Sequence, residues 1–243
     1  MTLNDLSDST TIVVGASRGL GRGIAQVLAD SGTPVIAVAR SAIRLEEVQA
    51  VVADATDASV PGSLIDRYRP RNLVLVAGAT PLVRPIHRHT WETFSVNWQT
   101  DVRMTFHWVR EALLTPLEPG SRVIVMSSGA ALQGSPLSGG YAGAKATQRF
   151  VAAYAREEAK REELGITFTS ILPRITPLTE LGRPAVEAYA ARAGVTQEQY
   201  MEQMGPLVTP EVVGNAVLEL LRAEPTSVAA GYLLTGAGLN ELP

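Results

Sequence analysis

The sequence predicts an α/β protein built on a doubly wound parallel sheet of about seven strands, with helices on both faces. Two observations support this prediction. Short runs rich in Val, Ile and Leu recur along the chain, and each is apolar at nearly every position, as in strands that are covered on both faces. Between these runs, apolar residues repeat at helical spacing, so strands and helices alternate as in successive βαβ units.

Seven segments fit these strands, and the third has the weakest pattern. The predicted strands cover residues 11–15, 34–39, 48–53, 73–78, 122–128, 166–172 and 232–234. The predicted helices lie between strands or follow them. The first has Leu20, Ile24, Val27 and Leu28 on one face and ends at Gly32. The second has Val102, Phe106, Val109 and Leu113 on one face. The third covers about residues 142–164, and the last covers residues 210–221.

Residues 174–206 differ from the rest of the chain, because a helical pattern there lies between prolines and carries tyrosines and methionines among charged residues. We interpret this segment as a lid over a substrate, inserted into a single domain that spans residues 1–243. The tyrosines and methionines of residues 189–204 are more often helix packing than substrate contacts, although a lid would use the same side chains.

Composition excludes several classes of function. The chain has 243 residues, a net charge of -3 and scattered basic residues, which predicts neither a nucleic-acid nor a membrane partner. Cysteine is absent, which excludes disulfides and thiolate catalysis. The polar residues 1–10 do not form a secretory signal, so a cytoplasmic location is expected. His87, His89 and His107 have no partner at metal-ligand spacing, and we predict no metal site.

Three glycines lie in the turn between the first predicted strand and the first helix. Glycine lets the backbone approach a pyrophosphate closely, and a helix N-terminus offers free N–H groups to it. A tight turn without a ligand can have the same composition, but this position favours a dinucleotide-binding Rossmann fold. The predicted cofactor contacts in this turn are Gly15, Ser17, Arg18, Gly19, Leu20 and Gly21.

The end of the second strand favours NADP(H) over NAD(H). Enzymes that use NAD usually place an acidic residue there to bind the adenosine ribose, whereas this chain has Arg40 and Ser41. Arg40 and Arg18 can hold a 2'-phosphate, although both would also be ordinary surface residues. Asp54 and Ala55, after the third strand, are predicted beside the adenine; Asp54 equally suits a helix N-terminus.

Further polar and small residues follow the glycine turn in a set order. They are Ala77 and Gly78 at the end of the fourth strand, Asn97 on the next helix, Ser128 at the end of the fifth strand, and Tyr141-x-x-x-Lys145 on the third predicted helix. With these motifs the chain resembles the short-chain dehydrogenase/reductase family over nearly its whole length. The resemblance implies an NADP(H)-dependent oxidoreductase that interconverts a small-molecule alcohol and a ketone or aldehyde.

Tyr141 and Lys145 share one helix face because they are four positions apart. A nearby ammonium favours the phenolate, so Tyr141 can act as the general acid/base, and Ser128 is expected to hydrogen-bond the substrate oxygen. The resemblance implies that Tyr141 and Lys145 also contact the cofactor, with Lys145 on the nicotinamide ribose, and that Asn97 positions a water in a proton relay. Epimerisation, double-bond reduction, and a non-catalytic NADP(H)-binding sensor or scaffold are the alternatives.

The chain departs from the family pattern at three places. Val14 stands for a threonine, and Leu75 and Val76 stand for two asparagines, so side-chain bonds that brace the sheet in the family must be replaced. Arg174 stands for the glycine that follows Pro173 in the family. The predicted contacts with the nicotinamide carboxamide in this region are Pro173, Ile175 and Thr176.

The resemblance also implies a homodimer or homotetramer, built from the helices that carry Asn97 and Tyr141. The third predicted helix is rich in alanine, which permits close approach of a second helix.

Overall fold

The computed structural model describes residues 5–243, so the first four residues of the polar N-terminal stretch lie outside the described part. One eight-stranded sheet runs through it in the order β3-β2-β1-β4-β5-β6-β7-β8. The strands are β1 (Thr11–Val14), β2 (Val35–Ala39), β3 (Val48–Val52), β4 (Asn72–Leu75), β5 (Arg122–Met126), β6 (Thr167–Pro173), β7 (Gly231–Thr235) and β8 (Gly238–Glu241). Strands β1 to β7 are parallel, which confirms the predicted sheet, and β8 adds an antiparallel edge.

Helices connect the parallel strands on both faces. They are α1 (Gly19–Asp30), α2 (Ser59–Tyr68), α3 (Trp91–Asn97), α4 (Arg103–Leu114), α5 (Ala130–Gln133), α6 (Tyr141–Arg161), α7 (Gly182–Ala193), α8 (Gln197–Glu202) and α9 (Pro210–Arg222). A π-helical turn, Trp98–Val102, joins α3 to α4. Within residues 5–243, no helix combines the length and the apolar character that crossing a membrane requires.

The sheet separates two apolar clusters because successive side chains of a strand point to opposite faces. Val13 packs in the cluster that α1 and α9 cover, whereas Ile12 and Val14 pack in the cluster with Trp108 and Val109 of α4. All four residues of β1 are buried. Burial on both faces explains why the strand sequences are apolar throughout.

The strand order reverses between β1 and β4. From β1 the chain proceeds through β2 to β3 on one side, and from β4 it proceeds through β5 to β7 on the other. Connections at such a reversal leave in opposite directions, which opens a crevice at the carboxyl ends of the two central strands. The fold therefore places a binding site at the loops after β1 and β4.

The helix predicted around Val102 to Leu113 exists, and Val109 and Leu113 of its predicted face pack in or against the core, but Phe106 does not. Phe106 is exposed, and the buried side chains of α4 include Met104 and Trp108. The π-helical turn before α4 adds a residue to one turn of the helix and rotates the face that follows it. A strict helical repeat counted from Val102 through this turn places Phe106 in the core, whereas Phe106 is exposed.

Helix α2 and strand β8 were not predicted. The sequence of α2, SVPGSLIDRY, contains a proline and a glycine, both poor helix formers, and tertiary contacts of Leu64 and Ile65 with the core stabilise it. Strand β8 is short and lies at the sheet edge, where its residues are not buried.

Apolar contacts replace the side-chain bonds that the family pattern has near β1 and β4. Val14 and Leu75 are fully buried in the same cluster as Val125. The amides of Val76 and Ala77 both donate to the carbonyl of Val14, at 2.9 and 2.8 Å. Backbone bonds and packing thus hold the end of β4 against β1.

Candidate active site

A cavity of about 1010 Å³ lies at the carboxyl ends of the central strands. It is lined by the loops after strands β1 to β6, by the start of α6 and by α7. Nearly all the predicted site residues line it, including Tyr141, Lys145 and Ser128. The two exceptions are Ser41, which is exposed on the surface, and Asn97, which is buried behind the cavity wall.

The glycine turn has the close packing that only glycine allows. Gly15 has a φ of +98°, and a Cβ there would lie 2.5 Å from the amide nitrogen of Ala77. A Cβ on Gly21 would collide with the carbonyl of Gly15. Gly19, with a φ of +53°, faces open space. Across residues 5–243, no side chain caps the N-terminus of α1, so its first amides are available to an anion in the cavity.

The residues predicted around the adenosine lie together at one end of the cavity. Arg18 and Arg40 are exposed there, and Arg18 Nη1 lies 2.7 Å from Glu180 Oε2 of the segment after β6. Asp54 accepts hydrogen bonds from the amide and hydroxyl of Thr56, which hold the pKa of the Asp54 carboxyl below its ordinary value, and Arg40 adds to this effect. Sequence reasoning missed Glu180 because the pair joins distant segments.

Helix α6 brings Tyr141 and Lys145 to the cavity on one face. Lys145 Nζ lies 5.5 Å from the centre of the Tyr141 ring. The hydroxyl of Ser127, at the end of β5, donates to the carbonyl of Lys145 at 2.7 Å, which fixes α6 against the strand that carries Ser128. The phenol, the ammonium and the Ser128 hydroxyl therefore line one cavity, as the motif spacing predicts.

A buried aspartate that sequence reasoning missed lies beside the lysine. Asp101, in the π-helical turn, places Oδ2 3.1 Å from Lys145 Nζ, and both side chains are almost fully buried. Burial alone lowers the pKa of Lys145, but the charge of Asp101, aided by Tyr141, outweighs it and raises that pKa above the ordinary value. The ammonium therefore keeps its proton inside the protein.

Asn97 contacts this aspartate and not the lysine. Its Nδ2 donates to the carbonyl of Ala79 at 2.8 Å and to Asp101 Oδ1 at 3.3 Å. The amide of Ala79 donates to the same oxygen at 2.8 Å. Gly78 packs against the carboxylate, where a Cβ would lie 2.8 Å from Oδ2. Asn97 thus helps to orient Asp101, and its part in a proton relay stays a prediction.

Comparison with known proteins identifies the family. A model described as short chain dehydrogenase matches residues 9–190. The chain belongs to the short-chain dehydrogenase family. It is thereby an oxidoreductase of a family that uses NAD(P)(H).

Two curated relatives illustrate the sequence similarity. A hydroxynaphthalene reductase of Aspergillus fumigatus is 30% identical over 185 residues, which cover 69% of this chain and 66% of that reductase, just under two thirds of its length. An uncharacterized oxidoreductase of Staphylococcus epidermidis is 25% identical over 190 residues, which cover 72% of this chain and 82% of the relative.

Two solved structures show the same fold. A short chain dehydrogenase from Burkholderia cenocepacia in complex with NADP has a TM-score of 0.78 at 22% identity and matches 96% of this chain and 98% of that one. A short chain dehydrogenase family protein from Francisella tularensis has a TM-score of 0.78 at 18% identity and matches 93% of this chain and 95% of that one.

At Pro173-Arg174, where the family has Pro-Gly, the backbone groups form hydrogen bonds with neighbouring segments of the sheet. The Pro173 carbonyl accepts from the amide of Gly129 at 2.8 Å, and the amide of Arg174 donates to the Leu234 carbonyl at 3.0 Å. The Arg174 side chain is exposed and lines the cavity. Arginine is therefore compatible with the backbone here, because neither residue has a positive φ.

The segment after β6 forms one wall of the cavity. Tyr189 of α7 and Tyr200 of α8 stack with ring centres 6.2 Å apart, and both line the cavity. The hydroxyl of Tyr189 is hydrogen-bonded to that of Ser135. Burial, aided by Tyr189, raises the pKa of Tyr200. These tyrosines thus pack on each other and also face the cavity.

The histidines have ordinary surroundings. His89 contacts Thr93 Oγ1 and the Arg84 carbonyl, each at 3.3 Å, and His87 is exposed. In the part of the chain that the structure describes, no cluster of three or more His, Asp or Glu side chains is arranged to hold a metal ion.

Proposed function

We propose that the protein is an NADP(H)-dependent oxidoreductase that interconverts an alcohol and a ketone or aldehyde, with Tyr141 as the general acid/base. The observation that carries this proposal is the shared cavity. The glycine turn at one end and Tyr141, Lys145 and Ser128 at the other line the same space. Its volume of about 1010 Å³ suits a dinucleotide and a small substrate together.

The residues present fit a phosphorylated dinucleotide. Glycine at 15, 19 and 21 clears the approach to the first amides of α1, which suit a pyrophosphate. Arg18 and Arg40 supply positive charge for a 2'-phosphate, and the phosphate would compete with Glu180 for Arg18. The NADP complex of the Burkholderia cenocepacia relative supports this choice of cofactor. When bound, the nicotinamide supplies or accepts the hydride.

Side chains of the protein transfer the proton and bind the substrate oxygen in the proposed reaction. Tyr141 gives its phenolic proton to the oxygen during reduction and takes one back during oxidation. The Lys145 ammonium favours the phenolate form of Tyr141 electrostatically. The Ser128 hydroxyl donates a hydrogen bond to the substrate oxygen, where negative charge develops.

We propose an aromatic ketone as the substrate class to test first. The stacked Tyr189 and Tyr200 and the apolar side chains of Leu132 and Val83 line the cavity and offer surfaces for a flat ring. The Aspergillus fumigatus relative is named for reduction of a hydroxynaphthalene. Residues 174–206 act in this proposal as the lid of a single-domain enzyme.

A panel of carbonyl compounds tests the proposed activity. Purified protein is mixed with NADPH and with aromatic, aliphatic or sugar carbonyls, and loss of the NADPH absorption band is followed. We expect carbonyl-dependent oxidation of NADPH, fastest with aromatic ketones. Tight NADPH binding with no turnover across the panel and with the matching alcohols would contradict the proposal and favour a sensor.

Replacing Arg40 by Ala should weaken NADPH binding about 10-fold to 150-fold, because a charge-assisted contact with the 2'-phosphate contributes about 1.5 to 3 kcal/mol. The Kd for NADH should stay essentially unchanged. Calorimetric titration of both cofactors measures this difference. Arg44→Ala removes an exposed arginine that does not line the cavity and is the matched control. Equal losses for NADH and NADPH would refute the phosphate contact.

We also propose a homodimer or homotetramer. Phe150 and Tyr154 stack on the outer face of α6, each 65% exposed, and Phe106 of α4 is 50% exposed. Exposed aromatic side chains on two neighbouring helices are typical of a protein interface.

Light scattering should give a multiple of the 25.8 kDa chain mass. Phe150→Glu should lower that mass towards a monomer, because it places a charge in the apolar interface. Val52→Glu, at an exposed apolar position on edge strand β3, is the control. A monomeric mass of the unmodified protein would dispose of the oligomer.

A further inference from the structure

The buried carboxylate of Asp101 takes no part in the proposed hydride and proton transfers, but it contacts Lys145, the lysine of the active site. Its Oδ1 accepts hydrogen bonds from the backbone amide of Ala79 and from Nδ2 of Asn97, and these bonds hold the carboxylate in one orientation. Its Oδ2 then points at Lys145 Nζ, 3.1 Å away. The side chains of Asp101 and Lys145 are only 1% and 7% exposed.

The other contacts of the Lys145 ammonium are neutral. Nζ donates to Gln148 Oε1 at 2.8 Å and to the Met126 carbonyl at 3.3 Å. Gln148 is fixed in turn, because its Nε2 donates to Thr105 Oγ1 at 2.6 Å and to the Asp101 carbonyl at 3.2 Å. An ammonium has three N–H donors, and two of them go to these neutral acceptors, so within the described residues the only charged contact of Nζ is its ion pair with Asp101.

Asp101 is the negatively charged side chain that faces the Lys145 ammonium from the elements packed around it in residues 5–243. The π-helical turn contributes one titratable side chain near Nζ, that of Asp101. Helix α6 contributes Tyr141, whose ring centre lies 5.5 Å from Nζ. On α4, Arg103 and Arg110 are exposed, and β5 contributes the uncharged Met126 carbonyl. From α7 and α8 the titratable groups that line the cavity are Tyr189 and Tyr200. In residues 5–243, Asp101 is the carboxylate in contact with the ammonium.

We propose that Asp101 is a positioning residue, whose buried carboxylate keeps the Lys145 ammonium protonated and fixed beside Tyr141. The physical reason is that a buried ammonium without a counter-ion loses its proton far more readily than one in water. Loss of that proton would remove the charge that favours the phenolate of Tyr141. The inference rests on the proposed function only for this consequence, whereas the ion pair itself can be tested without turnover.

The sequence makes a direct test feasible, because lysine occurs only at positions 145 and 160. Protein labelled with 13C at the lysine Cε gives two NMR signals, and Lys160→Arg assigns them. In the unmodified protein we expect Lys145 to stay protonated beyond about pH 10.4, the ordinary value for lysine. In Asp101→Asn we expect its signal to titrate at least about one pH unit below that value, because burial then acts unopposed.

A second variant covers the case in which Asp101→Asn fails to fold. Gly78→Ala places a methyl group where a Cβ lies 2.8 Å from Asp101 Oδ2, so it displaces the carboxylate without removing its charge. We expect a smaller shift in the same direction. Asp66→Asn, at an exposed carboxylate, is the control for loss of a negative charge and should leave the Lys145 signal unchanged.

Turnover gives the second readout. In Asp101→Asn the rate should fall above the same pH at which the Lys145 signal titrates, whereas a purely structural role would scale the rate equally at every pH. A Lys145 signal in Asp101→Asn that titrates at or above the ordinary value would overturn the proposal. If the signal shifts as expected but no carbonyl is reduced by any variant, the ion pair stands and the proposed function fails.

Discussion

Replacing Tyr141 by Phe should lower turnover about 100-fold to 10,000-fold, the range expected when a general acid/base is removed. The substitution deletes one oxygen from a half-buried ring and leaves the helix and the cavity intact. Cofactor binding should therefore stay close to that of the unmodified enzyme. Steady-state rates with the best carbonyl of the panel, combined with calorimetric titration of NADPH, separate the two quantities.

The matched control is Tyr68→Phe, which removes a phenolic hydroxyl at the end of α2 from a residue that does not line the cavity. It should leave turnover unchanged. Undiminished turnover in Tyr141→Phe would refute the role given to this residue. A parallel loss of NADPH affinity would instead mean that the hydroxyl acts mainly in binding.

Replacing Ser128 by Ala should lower kcat about 100-fold to 1,000-fold, as expected when one preorganised donor to a developing oxyanion is lost. The Ser128 Oγ accepts a hydrogen bond from the Ala130 amide at 3.2 Å, and its own proton is free to point into the cavity. The loss should fall on kcat more than on KM, because the bond strengthens as charge develops on the oxygen.

Ser128→Thr retains a hydroxyl at this position and provides the comparison. It should recover part of the rate that Ser128→Ala loses. If Ala and Thr at this position lose the same fraction of kcat, the packing of the side chain and not its hydroxyl is responsible. An unchanged kcat in Ser128→Ala would remove this residue from the mechanism.

The central part of the fold could be predicted because its strands are buried on both faces. The runs around Val13, Val74 and Ile124 are apolar throughout, and the glycine turn marks where the first strand ends. Edge strands lack this signal, which explains why β3 showed a weak pattern and β8 was missed. Helix α2 was missed because its proline and glycine have low helix propensity, whereas the helix is stabilised by tertiary packing.

The site could be predicted in part for a related reason. Tyr141 and Lys145 are close in the chain, so their shared face follows from helix geometry alone. The contact of Lys145 with Asp101 and that of Arg18 with Glu180 join segments that the sequence separates widely. Asp101 also lies in a π-helical turn, which determines where its side chain points. A regular helical repeat in the sequence does not predict such a turn.

Transfer of a labelled hydride tests the proposed reaction most directly. NADPH carrying deuterium at the transferable position of the nicotinamide is incubated with the enzyme and a carbonyl substrate, and the product is analysed by mass spectrometry and NMR. The proposed function predicts one deuterium on the carbinol carbon of the alcohol, formed at a rate that falls with Tyr141→Phe. An alcohol product that lacks deuterium at the carbinol carbon would contradict the proposed function. So would an epimer of the substrate, or a product with a reduced double bond and an intact carbonyl group.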